Sequence, residues 1–177
     1  SLFISLDEKE RKLSESDLMI CNSNEPMCIA GVFGGLDSSV TTSTQNIFLE
    51  SAYFNPISIR KSAKYHNLNT DASFRYERGC DPNITVYALK RAALLIKELC
   101  GGTISSEIID YYPNQISDHS ISFSYSSMNN LIGDKINKDV VKNILTDLEI
   151  KIVNEENDVL SLLVPPYRVD VTREVDV

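Results

Sequence analysis

The chain contains no apolar run approaching the ~18 residues that a membrane-spanning helix requires. Its opening, Ser1-Leu2-Phe3-Ile4-Ser5-Leu6, lacks the basic flank and small-residue cleavage site of a signal peptide, and reads like a strand entered partway through a domain. Cys21, Cys28, Cys80 and Cys100 show no C-x-x-C spacing, and His66 and His119 lie far from any of them, which argues against a zinc site. Apolar neighbours such as Met27, Ile29 and Leu99 predict buried free thiols, hence a reducing, cytoplasmic setting. There is no G-x-G-x-x-G loop and no P-loop lysine, so nucleotide phosphate binding is not indicated. With two histidines and no activated Ser or Cys motif, no nucleophile–base constellation can be assembled.

What is present is the composition of a globular protein: 42% hydrophobic and 24% charged over 177 residues, room for one ordinary domain or two small ones. The formal net charge of −8 argues against a general nucleic-acid binder, which needs clustered Lys and Arg. The charge is uneven, however. Residues 60–91 hold seven basic groups (Arg60, Lys61, Lys64, Arg75, Arg78, Lys90, Arg91) against three acidic ones (Asp71, Glu77, Asp81), inside an otherwise acidic chain. A solvated face of two helices accounts for such a stretch without further function.

Along the chain, short apolar stretches at 2–6, 18–21, 27–32 and 47–54, separated by turn-rich links such as Asn22-Ser23-Asn24-Glu25-Pro26, predict antiparallel strands. Pro56 opens a basic helix through about His66 with Asn55 as N-cap, and 67–73 reads as a polar connector. The next helix is expected to have Asp81 as N-cap, Pro82 as its first residue, and an apolar stripe of Leu89, Ala92, Ala93, Ile96 and Leu99; Gly101-Gly102 ends it. A strand at 103–112 and a linker at Pro113-Asn114-Gln115 follow. From about Ser117 the texture changes: a strand at 121–125, a short helix ending at Gly133-Asp134, a helix capped by Asn137, and strands at 149–153 and 159–164 stopped by Pro165-Pro166. The fold class is therefore α+β. A mixed or antiparallel sheet with packed helices over 1–116 precedes a small helix-plus-strand module over 117–177.

Two features suggest a ligand. Ala30-Gly31 and Gly34-Gly35, in Ile29-Ala30-Gly31-Val32-Phe33-Gly34-Gly35, offer bare backbone that a planar or ester-bearing ligand could approach, or they merely permit a turn. Glu50 sits in the apolar run Asn46-Ile47-Phe48-Leu49-Glu50-Ser51-Ala52-Tyr53-Phe54, and a carboxylate in a buried strand is costly without donors. It either bonds a structural hydroxyl or accepts from a ligand hydroxyl.

The runs AGVFGG, NIFLESAYF, IRKSA, NTDASFRYERGCDP and LKRAALLI, in this order, closely resemble the editing domain of the bacterial phenylalanyl-tRNA synthetase β-subunit family. LIGDKIN, VVKNILTDLEI and VPPYRVDVTREVDV resemble the module that follows it, so the resemblance covers nearly the whole chain. It implies part of a class II ligase, an α₂β₂ heterotetramer that joins phenylalanine to its tRNA with ATP and magnesium on the α subunit, and whose β subunit hydrolyses tyrosine misattached to that tRNA. By resemblance Ala30 and Gly31 line the editing pocket and Glu50 accepts a hydrogen bond from the tyrosine hydroxyl, with Gly34, Thr70 and Ala72 nearby. The family's upstream half of the domain, with a pocket histidine, is not matched here. Asp170 and Asp176 match two aspartates of a magnesium site shared with the α subunit, completed in the family by glutamates further along. The isolated chain is accordingly expected to be inactive. Alternatives are a free-standing aminoacyl-tRNA deacylase, against which the module after Ser117 argues, and a non-enzymatic scaffold contacting the α subunit or tRNA.

Overall fold

The computed structural model describes residues 2–177, and the chain divides into two compact units, one ending at Ile108 and one spanning Ile109–Val177. In the first, β1 (Leu2–Ile4) pairs antiparallel with β2 (Glu10–Lys12), and β3 (Met19–Cys21), β4 (Pro26–Ile29) and β5 (Phe33–Gly34) form an antiparallel sheet in that order. The helices are α1 (Pro56–His66), α2 (Asp71–Tyr76) and α3 (Thr85–Cys100). The core gathers Phe3, Ile29, Val32, Ile59, Ala63 and Leu68. Asn55 caps α1 as expected, its side chain accepting from the N–H of Ile57 and of Ser58.

Five expectations are corrected here. Residues 47–54 make no strand, and neither do 103–112, where Ile109 and Tyr111 are exposed; apolar content without a neighbouring strand leaves no ladder to join. The segment 67–73 is not all connector: α2 begins at Asp71, capped by Thr70, whose side chain accepts from Ser73 N–H while the Ser73 side chain accepts from Thr70 N–H. Asp81 does not cap α3, because its carboxylate accepts from Asn83 N–H at 2.9 Å in a local turn and the helix starts at Thr85. Finally, the α3 stripe is not core, since the helix buries no residue and Leu99 is 79% exposed.

The second unit is a three-stranded antiparallel sheet, β6 (His119–Ser124), β8 (Val159–Val164) and β7 (Lys151–Glu156) in that order, with α4 (Tyr125–Ile132) and α5 (Lys138–Asp147) packed on it. Alternation in β8 sends Leu160, Leu162 and Val164 to full burial against Ile121, Phe123, Val141 and Leu145. Asn137 caps α5 through Asp139 N–H, and Gly133 ends α4 with φ +83°, a conformation that suits glycine. The chain is thus α+β throughout, with every sheet antiparallel.

Candidate functional site

A cavity of about 410 Å³ in the first unit is walled by the turn after β4 (Gly31, Val32) and by β5 (Phe33, Gly34), by Glu50 and Phe54 of the segment before α1, and by Thr70, Ala72 and Tyr76 of α2 and its cap. Gly31 is needed at its place: its φ is +65°, and a Cβ there would fall 2.9 Å from both Ile59 Cδ1 and Phe54 Cδ2. Thr70 joins the walls, because its Oγ1 donates to the carbonyl of Val32 at 2.6 Å while capping α2. Tyr76 fixes the segment that carries Glu50. Its hydroxyl donates to Ala52 O at 3.3 Å, and its ring meets Phe54 edge-on, centroids 5.0 Å apart.

The electrostatics of the cavity run in one direction. Partial burial of its carboxyl raises Glu50 above its ordinary range, although the residue as a whole is exposed. Burial, and then the Glu50 charge, raise the Cys28 thiol; burial, with Cys80 and Glu50 adding to it, raises the Tyr76 phenol. No Lys or Arg lines the cavity. It therefore favours a neutral ligand bearing a hydrogen-bond donor over an anion.

Of the residues singled out from sequence, Gly31, Gly34, Glu50, Thr70 and Ala72 line this one cavity, while Ala30 is not among its walls and is buried, 1% exposed, its N–H donating to Leu18 O at 2.9 Å. Glu50 is not in a buried strand: it lies on a segment outside the sheets and is itself exposed. Phe54 and Tyr76 were not anticipated. Their signals were an aromatic four residues after Glu50 and another four after Ala72 on one helical face. The cysteines are free, but Cys21 and Cys100 are exposed rather than buried.

A second polar cluster lies apart from the cavity lining. Ser62 Oγ donates to Asp17 Oδ1 at 2.7 Å, and His66 Nε2 meets Asp17 Oδ2 at 2.8 Å. The Asp17 side chain is fully enclosed, and the N–H of Ser14 also donates to it, at 2.7 Å. The carboxylate is the hub and no Ser–His hydrogen bond exists, so this is a clasp between the 14–17 turn and α1 rather than a nucleophile–base relay.

In the second unit, Asp176 accepts from Arg173 Nη2 at 2.8 Å and from Arg173 Nε at 3.1 Å, together with the N–H groups of Thr172 and Arg173, which bring its pKa down to about 2. Asp170 is exposed. Among the described residues no group of three or more His, Cys, Asp or Glu side chains is placed to hold a metal ion. The two aspartates as they stand do not fit a magnesium site, since an ion at Asp176 would have to displace the arginine. A larger cavity of about 560 Å³ in this unit has mostly apolar walls, among them Met128, Leu131, Ile132 and Ile144, with Ser127 and Glu174 also lining it. No helix of the described chain is long and apolar enough to cross a membrane.

The B3/4 domain family matches residues 1–101, and the tRNA synthetase B5 domain family matches 121–177. The chain is 60% identical over 99% of its length to the phenylalanine–tRNA ligase beta subunit of Bacteroides thetaiotaomicron, covering 21% of that protein. It is 54% identical to the Porphyromonas gingivalis protein of the same name and 41% identical to that of Geobacter sulfurreducens, over 99% of the chain and 21% and 22% of those proteins. It thus spans about a fifth of the length of the curated relatives it matches. With its cavity built inside the matched stretch of the first unit, the chain belongs to the B3/4 domain family, followed by a B5 domain, and is similar along its whole length to bacterial phenylalanine–tRNA ligase beta subunits.

Proposed function

We propose that this chain is part of a phenylalanine–tRNA ligase beta subunit, and that the cavity of its first unit takes the side chain of tyrosine misattached to tRNA(Phe), so that the ester can be hydrolysed. The observation that carries the reading is the meeting of Glu50 with the bare backbone of Gly31 and Gly34 in one aromatic-walled cavity. Tyrosine exceeds phenylalanine by one hydroxyl, which an apolar pocket alone rejects or selects poorly. An acceptor already in the wall selects for it, because phenylalanine would leave Glu50 partly desolvated and unpaired. The lining holds no nucleophile–base pair, so these residues supply discrimination, and the attacking group is water. In the parent enzyme, phenylalanine would be attached with ATP and Mg²⁺ on an α subunit in an α₂β₂ assembly in the cytoplasm. Asp170 and Asp176 are proposed as magnesium ligands only in that company.

The test is Glu50→Ala in the intact enzyme. Hydrolysis of Tyr-tRNA(Phe) relative to Phe-tRNA(Phe) should lose selectivity by roughly 1–3 kcal/mol, toward the lower end because Glu50 is partly solvated. Unchanged selectivity overturns the assigned role.

A further inference from the structure

None of the basic side chains of residues 60–91 lines the cavity, and five of the seven lie on α1 or on α2 and the residues just after it. Arg60, Lys61 and Lys64 share the exposed face of α1, opposite the buried Ile59, Ser62 and Ala63. On the outer side of α2, Phe74 is 59% exposed, and the guanidinium of Arg78 stacks on its ring at 3.6 Å. Arg60 Nη2 donates to Glu77 O at 2.9 Å, which joins the face of α1 to the end of α2. The Glu77 carboxylate is paired with Arg78. Among the described residues, no carboxylate lies within 4.0 Å of the charged nitrogens of Arg60, Lys61, Lys64 or Arg75.

An exposed aromatic ring, with cations that have no carboxylate partner (Arg60, Lys61, Lys64 and Arg75) on the same pair of helices, is the combination that single-stranded nucleic acid uses, bases stacking on the ring and phosphates meeting the charges. The remainder of the chain is acidic and repels a polyanion, so attraction is confined to this surface. The same short helix lends Ala72 and Tyr76 to the cavity wall, so a strand lying on its outer side runs past the cavity. We propose that Arg60, Lys61, Lys64, Phe74, Arg75 and Arg78 form a docking surface for single-stranded RNA, holding the strand whose aminoacylated 3′ end enters the cavity. This rests on the proposed function for the identity of the strand, while binding itself does not depend on it.

The test measures affinity of the 177-residue chain for a fluorescent single-stranded RNA oligonucleotide bearing no amino acid, across a range of salt. Lys61→Gln/Lys64→Gln/Arg75→Gln should lower affinity about tenfold at low salt and reduce the slope of log K against log[salt] by about 2. Phe74→Ala should lower affinity about tenfold with the slope unchanged, because stacking releases no counterions. A control that removes Lys97, Lys135 and Lys151, all exposed elsewhere, changes net charge equally and should leave the slope as it was. An equal slope change in the control, no change in the triple variant, or equally tight binding of a polyglutamate peptide overturns the proposal. Since the probe has no ester and no amino acid, failure here is separable from unchanged tyrosine selectivity in Glu50→Ala.

Discussion

The two units solve the same problem differently. The second unit spans Ile109–Val177 and closes a core of nine buried residues on one three-stranded sheet. The first unit is longer, yet its core cluster holds six buried residues, its strands are two to four residues long, and its longest helix buries nothing. Much of its order comes from polar joints: the Asp17 clasp on Ser62 and His66, Thr70 on Val32, and Arg11, which donates to Ser5 Oγ, the Asp7 carboxylate and His66 O. The lesson is that hydrophobic patterning supplies a face, but stability follows only where another face meets it. A site built from loops needs directional bonds instead.

The contrast can be broken first at Asp17. Asp17→Ala leaves the Ser62 hydroxyl, His66 and the Ser14 N–H without their enclosed partner, and should destabilise the first unit by about 3–5 kcal/mol. Hydrogen exchange read separately on the two units would check it; an effect on both alike would remove the distinction. Acid tests the same joint, because donation from Ser62, Ser14 and His66 holds the Asp17 pKa below its ordinary 3.8 despite burial. A depressed carboxylate pKa gives stability that is complete above 3.8 and lost as pH falls through the folded value. Exchange protection in the first unit should therefore fall below that pH, and Asp17→Asn should flatten the dependence.

In the second unit the corresponding break is apolar. Leu160→Ala, at a side chain with no exposure, should cost about 2–4 kcal/mol by denaturant unfolding, with the first unit unaffected. Tyr125→Phe should change stability by less than about 1 kcal/mol, because the buried hydroxyl has no hydrogen-bond partner among the described residues and its removal orphans nothing. A large loss there would mean that the hydroxyl is bonded in solution. Smallest of all, Leu99→Ala on α3 should fall within about 0.5 kcal/mol, as expected for an exposed side chain.

Several elements were legible because their signals are local. Asn55 before Pro56, Asn137 before its amphipathic helix and Gly133 at a helix end act through bonds or dihedrals within a few residues. Thr70 and Ser73 carried a signal of the same kind, a reciprocal cap overlooked inside a polar stretch. Asp81-Pro82 misled because an aspartate that accepts from the second residue onward can make a turn as readily as a cap. The strands expected at 47–54 and 103–112 failed for a different reason: an extended apolar run becomes a strand only when another backbone is beside it.

The candidate site divides along the same line. The residue types were fixed by sequence: glycines where backbone is bared, a carboxylate among aromatics, and a string that resembles one family closely. That Gly31, Glu50 and Ala72 face one cavity, that Ala30 does not, and that Tyr76 holds the Glu50 segment were decided by tertiary structure alone. The physical reason is range. Caps and turns are settled by neighbours within four residues, whereas a cavity wall is set by contacts such as Thr70 to Val32 and Tyr76 to Ala52, spanning 38 and 24 residues of chain. No local pattern encodes such distances.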